Sequence, residues 1–541
     1  MRLFAVLLGL FVLAAQAADP AKVLRITFRS AETGFDPVKV SDYYSGTVIE
    51  AIFDPLLTYD YLARPAKLVA NTAAALPKVD EGGRRYTLTI KPGIYFADDP
   101  AFKGARRELT AEDYAYSLRR FLDPKNHSPY AFLYEGIAAI EVPARYTLVI
   151  RLKQPDFNFS HVLAFTLSGA VAREAIEHHG TDAAARPVGT GPFRLKSYAR
   201  SSRIVLEANP AYRDAPRLPR IGGVEISIME ETQGRWLAFQ RGDTDMEYQL
   251  EDVASAFMTA EGKLKPEFAA RGIKLDRSVQ PEITYLYFNM QDKTVGGLSK
   301  EKIALRRAIA MAYNVEDQIR IIRKGQALRA HYPIPPGVAG HDPDYRSSIA
   351  HDPRAANALL DRFGYKKGPD GYRRMPDGSP LVFRYSSIPT EVYRQFDELV
   401  KCSLDSIGVR LEVHKDRFPE LIKLENQCRL MSRSAAWVAD YPDGDNFMQL
   451  LYGANTGQSN NACYRSPEYD KRYEKSRLVP DGPERDKLYR EMARIMETDT
   501  VWLLADSRYR NVLFHPRVKD FKKHPVVHQE WLHIDLEPLP R

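Results

Sequence analysis

Two hydrophobic periods interleave along the whole chain, and that mixture constrains the fold more than any single motif. Leu24, Ile26 and Phe28 alternate with Arg25, Thr27 and Arg29, the period-two pattern of a half-buried strand. The same alternation returns at Tyr86, Leu88 and Ile90, ahead of a Pro92-Gly93 turn, and at Tyr146, Leu148, Ile150 and Leu152. Val224, Ile226 and Ile228 repeat it, as do Val409, Leu411 and Val413. Between these runs lie amphipathic helical stretches. In residues 109–124, Thr110 and Asp113 have capping-box spacing, Tyr114, Leu118, Phe121 and Leu122 share a face, and Asp123-Pro124 ends the run. Residues 303–325 predict a longer helix broken near Asn314, and Leu488, Met492, Ile495 and Met496 share a face after a start at Asp481. No internal repeat and no low-complexity linker interrupts the pattern. A mixed α/β protein follows, and 541 residues are enough for two or three domains with cores of their own.

The first residues read as an export signal. Arg2 precedes 13 apolar residues (3–15), and Ala15-Gln16-Ala17 supplies small residues for cleavage after Ala17. That run is shorter than the roughly 20 residues a spanning helix needs, and no later stretch is long and apolar enough. No cysteine lies near the cleavage point for a lipid anchor. The expectation is a signal peptide at 1–17 and an exported, soluble, periplasmic chain. The formal charge of +7 is interspersed along the sequence and lacks the basic stripe of a nucleic-acid binder. Three cysteines cannot staple a chain of this length. In an oxidising compartment Cys428 and Cys463 are candidates for one bridge, leaving Cys402 over on a helix; three separate thiols are the alternative.

Motifs for catalysis are missing. There is no G-x-S-x-G elbow, no H-E-x-x-H zinc helix and no C-x-x-C pair. Gly189-Thr190-Gly191 is followed by Pro192-Phe193, which suits a rigid turn and not a phosphate loop. His178-His179 would point in different directions on a helix, so no metal site is expected there. A triad assembled from distant residues stays open as an alternative.

Four segments, in order, carry a resemblance. They are YTLTIKPGIYFADDPAFKGARRELTAEDYAYSLRRFLDP (86–124), PVGTGPFRLKSY (187–198), TYLYFNM (284–290) and WVADYPDGDNFMQLLYG (437–453), the last continued by SNNACYRSPEYDKRYEKS (459–476). Together they resemble the extracytoplasmic solute-binding proteins of peptide-type ABC transporters, the oligopeptide- and dipeptide-binding family (solute-binding protein family 5). Tyr114 and Asn314 depart from the usual aliphatic and Asp residues of that pattern.

The resemblance implies a two-lobed periplasmic binding protein, a Venus-flytrap, with a subdomain inserted in the first lobe. The first lobe would hold residues 18–284, with the insertion at about 50–186. The second lobe would fill 285–507, and 508–541 would return to the first. Asp440 stands where peptide-binding relatives carry the carboxylate that meets the ligand's α-amino group; composition alone would read it as part of the turn Asp440-Tyr441-Pro442-Asp443-Gly444. Trp437 and Tyr441 are expected as aromatic walls, Tyr43 and Tyr44 as first-lobe contacts, and Asn460 and Asn461 as amide contacts. Tyr285 and Asn289 are expected at the hinge. The implied function is a non-enzymatic receptor that hands peptides to an inner-membrane ABC permease, as a monomer, without cofactor or metal. Haem, a nickel complex, a sugar or an opine is the alternative ligand; a secreted hydrolase and a chaperone-like binder are the alternative classes.

Overall fold

The computed structural model describes residues 18–64, 66–215, 217–527 and 530–538. The expected signal peptide lies outside them. The alternating run at Leu24 becomes the strand Asp19–Phe28, which pairs in parallel with Ile221–Ile228. Arg203–Ala208 and Phe193–Ala199 complete this four-stranded sheet antiparallel to it. A second four-stranded sheet, Lys78–Asp80, Arg85–Thr89, Thr147–Leu152 and Ile137–Ala144, is inserted between these strands in sequence. The helix Ala111–Leu122 packs on it through buried Tyr114, Leu118 and Phe121. Its first turn is closed by Asp113, which accepts from the Thr110 backbone N–H at 2.7 Å.

The Gly189-Thr190-Gly191 turn has a packing reason. A Cβ on Gly189 would stand 2.0 Å from the Ile52 carbonyl oxygen, and one on Gly191 would stand 2.7 Å from that of Ala51. Only glycine lets the turn lie against the helix Tyr43–Ile52. That helix starts at Asp42, which accepts from the Ser45 N–H at 2.8 Å, and so presents Tyr43 and Tyr44 at a fixed end.

The third sheet has five strands in the order Arg410–Lys415, Val382–Ser387, Ser432–Val438, Glu282–Phe288 and Trp502–Leu504. Glu282–Phe288 is buried along its whole length, as a central strand covered on both faces must be. Helices Lys300–Ala312, Pro353–Arg362 and Glu391–Ser406 cover the sheet. The predicted break near Asn314 is present: its side chain accepts from the Asp317 N–H at 3.1 Å and starts a new turn.

The chain crosses between lobes twice. Lys274–Val279 pairs antiparallel with Asp506–Phe514, and beyond the crossing Glu282–Phe288 pairs with Trp502–Leu504. Arg508 clamps Glu282 through two hydrogen bonds at 2.5 and 2.6 Å, in a buried pair that holds the Glu282 carboxyl below the usual carboxylate range. Thr284 ties the same point to the Asp506 backbone at 2.8 and 3.0 Å. Two adjacent strands tied in this way join the two lobes.

Candidate functional site

The lobes meet across a cleft that encloses a cavity of about 210 Å³. Its first-lobe wall carries Arg29, Tyr43, Tyr44, Tyr130 and Phe165; its second-lobe wall carries Tyr285, Tyr393, Phe418, Trp437, Asp440 and Asn461. The cleft is closed. Tyr130 and Trp437 approach to 6.3 Å between ring centres from opposite lobes, and so do Tyr44 and Phe418. The Phe132 N–H donates to Gln458 Oε1 at 3.1 Å, and Arg477 pairs with Asp156 across the same boundary.

The strand Ser432–Val438 shapes the second-lobe wall. One edge pairs with Glu282–Phe288 along its length, while the other meets Val382–Ser387 only at Arg433. From Ser434 to Val438 that second edge has no strand partner among the described residues, and these same residues line the cavity. An open edge offers N–H and C=O groups at regular spacing to an extended ligand.

Asp440 follows this strand. Its carboxylate accepts from Asn446 Nδ2 at 2.9 Å, and Asn446 Oδ1 accepts from both the Asp440 backbone N–H at 2.9 Å and Trp437 Nε1 at 3.1 Å. One buried amide therefore orients both cavity-facing groups. Burial pushes the Asp440 carboxyl up to about 7, against the opposing effect of hydrogen bonds from Asn446 and Tyr130. Among the described residues no Lys, Arg or His lies close enough to neutralise it. The cavity thus presents a carboxylate that a cation would stabilise.

Cys428 and Cys463 are joined, with 6.1 Å between their Cα atoms and 35 residues of separation. The closed loop contains Trp437, Asp440, Asn446 and Asn461, so the bridge ties the ends of the segment that builds this wall. Cys402 is a free, exposed thiol on the helix Glu391–Ser406.

The family model for bacterial extracellular solute-binding proteins, family 5 (middle), matches residues 67–459. The chain belongs to that family. Over 94% of its length it is 28% identical to the di/tripeptide-binding protein 2 of Pseudomonas aeruginosa, covering 95% of that relative. It is 24% identical to the dipeptide-binding protein of Escherichia coli, over 96% of this chain and 95% of the relative. The periplasmic binding protein DppA of Helicobacter pylori, solved with the peptide STSA, superposes with a TM-score of 0.84 at 21% identity, over 97% and 99% of the two chains. The two-lobed α/β fold is that of periplasmic peptide-binding proteins. No helix among the described residues is long and apolar enough to cross a membrane.

Within this family 5 fold the structure gathers some of the expected site residues and turns others away. Asp440, Trp437, Tyr43, Tyr44 and Asn461 line the cavity together. Tyr441 does not: it is fully buried, and its hydroxyl donates to Asp445 Oδ2 at 2.7 Å. The chain turns after Asp440, so the neighbouring ring points into the core. Asn460 is also buried; its amide donates to the carbonyls of Tyr452 and Tyr464 at 3.0 and 2.8 Å and braces the loop that presents Asn461. Tyr285 lines the cavity from within the five-stranded sheet, stacked on Trp502 at 3.9 Å and paired with Leu504 beside the crossing. Asn289 lies at the far end of that strand, where it donates to the carbonyls of Cys428 and Leu430 at 2.8 and 2.9 Å. These bonds brace the turn next to the disulfide.

Sequence reasoning missed Asn446, Arg29 and the crossing residues Glu282 and Arg508. For Arg29 a signal existed. It ends a strand of an α/β sheet, and ligands of such sheets gather beyond the carboxyl ends of strands.

Proposed function

We propose that this protein is the periplasmic receptor of an ABC importer, capturing peptides between its lobes and delivering them unchanged to an inner-membrane permease. The observation that carries the reading is the Asp440 carboxylate, which has no cationic partner among the described residues and lines the cavity between the lobes beside an open strand edge. A peptide supplies what both features lack: an α-ammonium for the carboxylate, and a backbone for the edge. The ligand contacts both lobes, so its binding favours the closed state, and release follows opening at Gln280-Pro281 and Ala505. Trp437, Tyr43, Tyr44 and Asn461 form the walls around it.

The same reading divides the chain into a signal peptide at 1–17 cleaved after Ala17, a first lobe at 18–284 with an insertion near 50–186, a second lobe at 285–507 and a return at 508–541. The receptor acts as a monomer and makes no covalent change in its ligand.

Thermal unfolding of ligand-stripped protein with pooled di- to pentapeptides, beside haem, nickel–histidine, sugars and opines, tests the assignment. Ligand at about a thousand times its Kd stabilises the folded state by roughly 4 kcal/mol. A peptide shift that vanishes in Asp440→Asn supports the proposal. A shift from another solute with none from any peptide rejects it, and chemical turnover of the ligand rejects the receptor role.

A further inference from the structure

A second set of charges bridges the lobes outside the cavity. Asp156 follows the strand Thr147–Leu152 of the inserted sheet, and Arg477 ends the second-lobe helix Pro467–Arg477. In the closed cleft the Arg477 guanidinium donates to Asp156 Oδ2, with both side chains largely covered. Asp156 also accepts from the Asn158 N–H at 2.9 Å, which fixes its carboxylate in place.

Arg477 has a second carboxylate within electrostatic reach, and that one belongs to its own lobe. Asp445, on the helical turn Asp445–Met448, is buried and accepts from the Tyr441 hydroxyl through Oδ2 at 2.7 Å. Its Oδ1 is equally buried and makes no hydrogen bond with any described residue. A buried acceptor without a donor is costly. Burial pushes the Asp445 carboxyl up to about 6, Arg477 opposes that rise and Asp156 adds to it. Burial alone would lower the pKa of Arg477; Asp156, Tyr473 and Asp445 together hold it well above its ordinary value. The third carboxylate of this corner, Asp443, is already served by Arg485 and by the Tyr489 hydroxyl at 3.1 Å.

We infer that Arg477 is a two-position latch: it pairs with Asp156 when the cleft is closed and turns to the unused oxygen of Asp445 when the lobes part. The exchange keeps the guanidinium paired in both states, so opening strands no charge on the second lobe. The two carboxylates therefore pull in opposite directions, Asp156 towards the closed state and Asp445 towards the open one. Asp445 also holds the hydroxyl of Tyr441, the residue after Asp440, so the latch and Asp440 share one loop. The exchange presupposes the two-lobed opening proposed above and is indifferent to which solute fills the cleft.

Single-molecule energy transfer on the stripped, full-length protein tests it, with one dye on the free thiol Cys402 of the second lobe and one on Val79→Cys of the inserted sheet, both exposed positions. Asp156→Asn should lower the ratio of closed to open molecules by about threefold or more, and Asp445→Asn should raise it by a similar factor. Asparagine can still accept from the Asn158 N–H and from the Tyr441 hydroxyl, so neither change removes a structural bond. In an Arg477→Gln background both shifts should vanish. Two shifts of the same sign, no shift from either substitution, or shifts that survive in Arg477→Gln overturn the latch. A merely structural pair would give loosening in both variants. Movement of wild type with pooled di- to pentapeptides, but none of these shifts, sinks the latch alone. A distance that neither solute nor substitution changes rejects the opening itself, and the latch with it.

Discussion

Peptide affinity should fall steeply as the pH drops below 7, because the bound state needs Asp440 ionised. In the unliganded cleft burial pushes this carboxyl up to about 7, so at that pH half of the molecules carry it protonated. An ammonium docked against it favours the anion and draws its pKa down. Between the free and bound pKa values, each unit of pH lost weakens binding about tenfold, or about 1.4 kcal/mol. Going from pH 7 to pH 5 should therefore raise Kd by roughly fiftyfold, and binding at pH 7 should release about half a proton. Above about pH 8 the peptide's own amine deprotonates, so affinity should peak between roughly 7 and 8. Titration calorimetry from pH 5 to pH 8, in buffers of different ionisation heat, reads both the affinity and the proton count. Asp440→Asn should flatten the acid limb and weaken binding at pH 7.5 by roughly 2–5 kcal/mol. Equal Kd at pH 5 and pH 7 in wild type refutes the reasoning, as does an acid limb that survives in Asp440→Asn.

Three further outcomes follow from the same contacts. A folded-state pKa raised from 3.8 to about 7 gives stability that is present below pH 4 and lost as the pH rises through 7. Unliganded Asp440→Asn should thus be more stable than wild type at pH 8, by up to about 4 kcal/mol, and a lower denaturation midpoint would contradict this. Asn446→Leu removes a donor to Asp440 and the acceptor for Trp437; peptide binding should weaken about tenfold and the acid limb should move above pH 7, where an unmoved limb would exclude the contact. Replacing both Cys428 and Cys463 by Ser frees a loop closed over 35 residues and should cost about 4 kcal/mol in denaturant unfolding, against no change if the bridge adds nothing.

The local elements were legible because their causes are local. Alternation at Leu24, Tyr86, Leu148, Val224 and Leu411 corresponds to strands, and the Thr110–Asp113 spacing to a capped helix. Asp440 was legible only through resemblance, since its turn-rich surroundings favour a plain turn. Tyr441 shows why proximity in sequence misleads: one peptide unit past Asp440 the chain turns, and its side chain enters the core beside Asp445. Arg29 carried two opposed signals: its place at the carboxyl end of a strand points to a site, and its polar phase points to solvent. It continues the polar phase of the alternation one residue past the strand Asp19–Phe28, which reads as solvent-facing, and only the packing of the other lobe makes it part of a cavity wall. Asn446 had no signal, because its role exists only where Trp437 and the Asp440 backbone come together. The crossing pair Glu282–Arg508 is 226 residues apart and was likewise beyond any local rule.

The most direct test is a pair of titrations of the stripped protein, one with a free dipeptide and one with the same dipeptide N-acetylated. Acetylation removes the ammonium and leaves the backbone and carboxylate. Tight binding of the free form, with at least a hundredfold loss on acetylation and no such difference in Asp440→Asn, is the result predicted here. Equal affinity for the two forms would contradict the claim that the cleft captures its ligand through the Asp440 carboxylate.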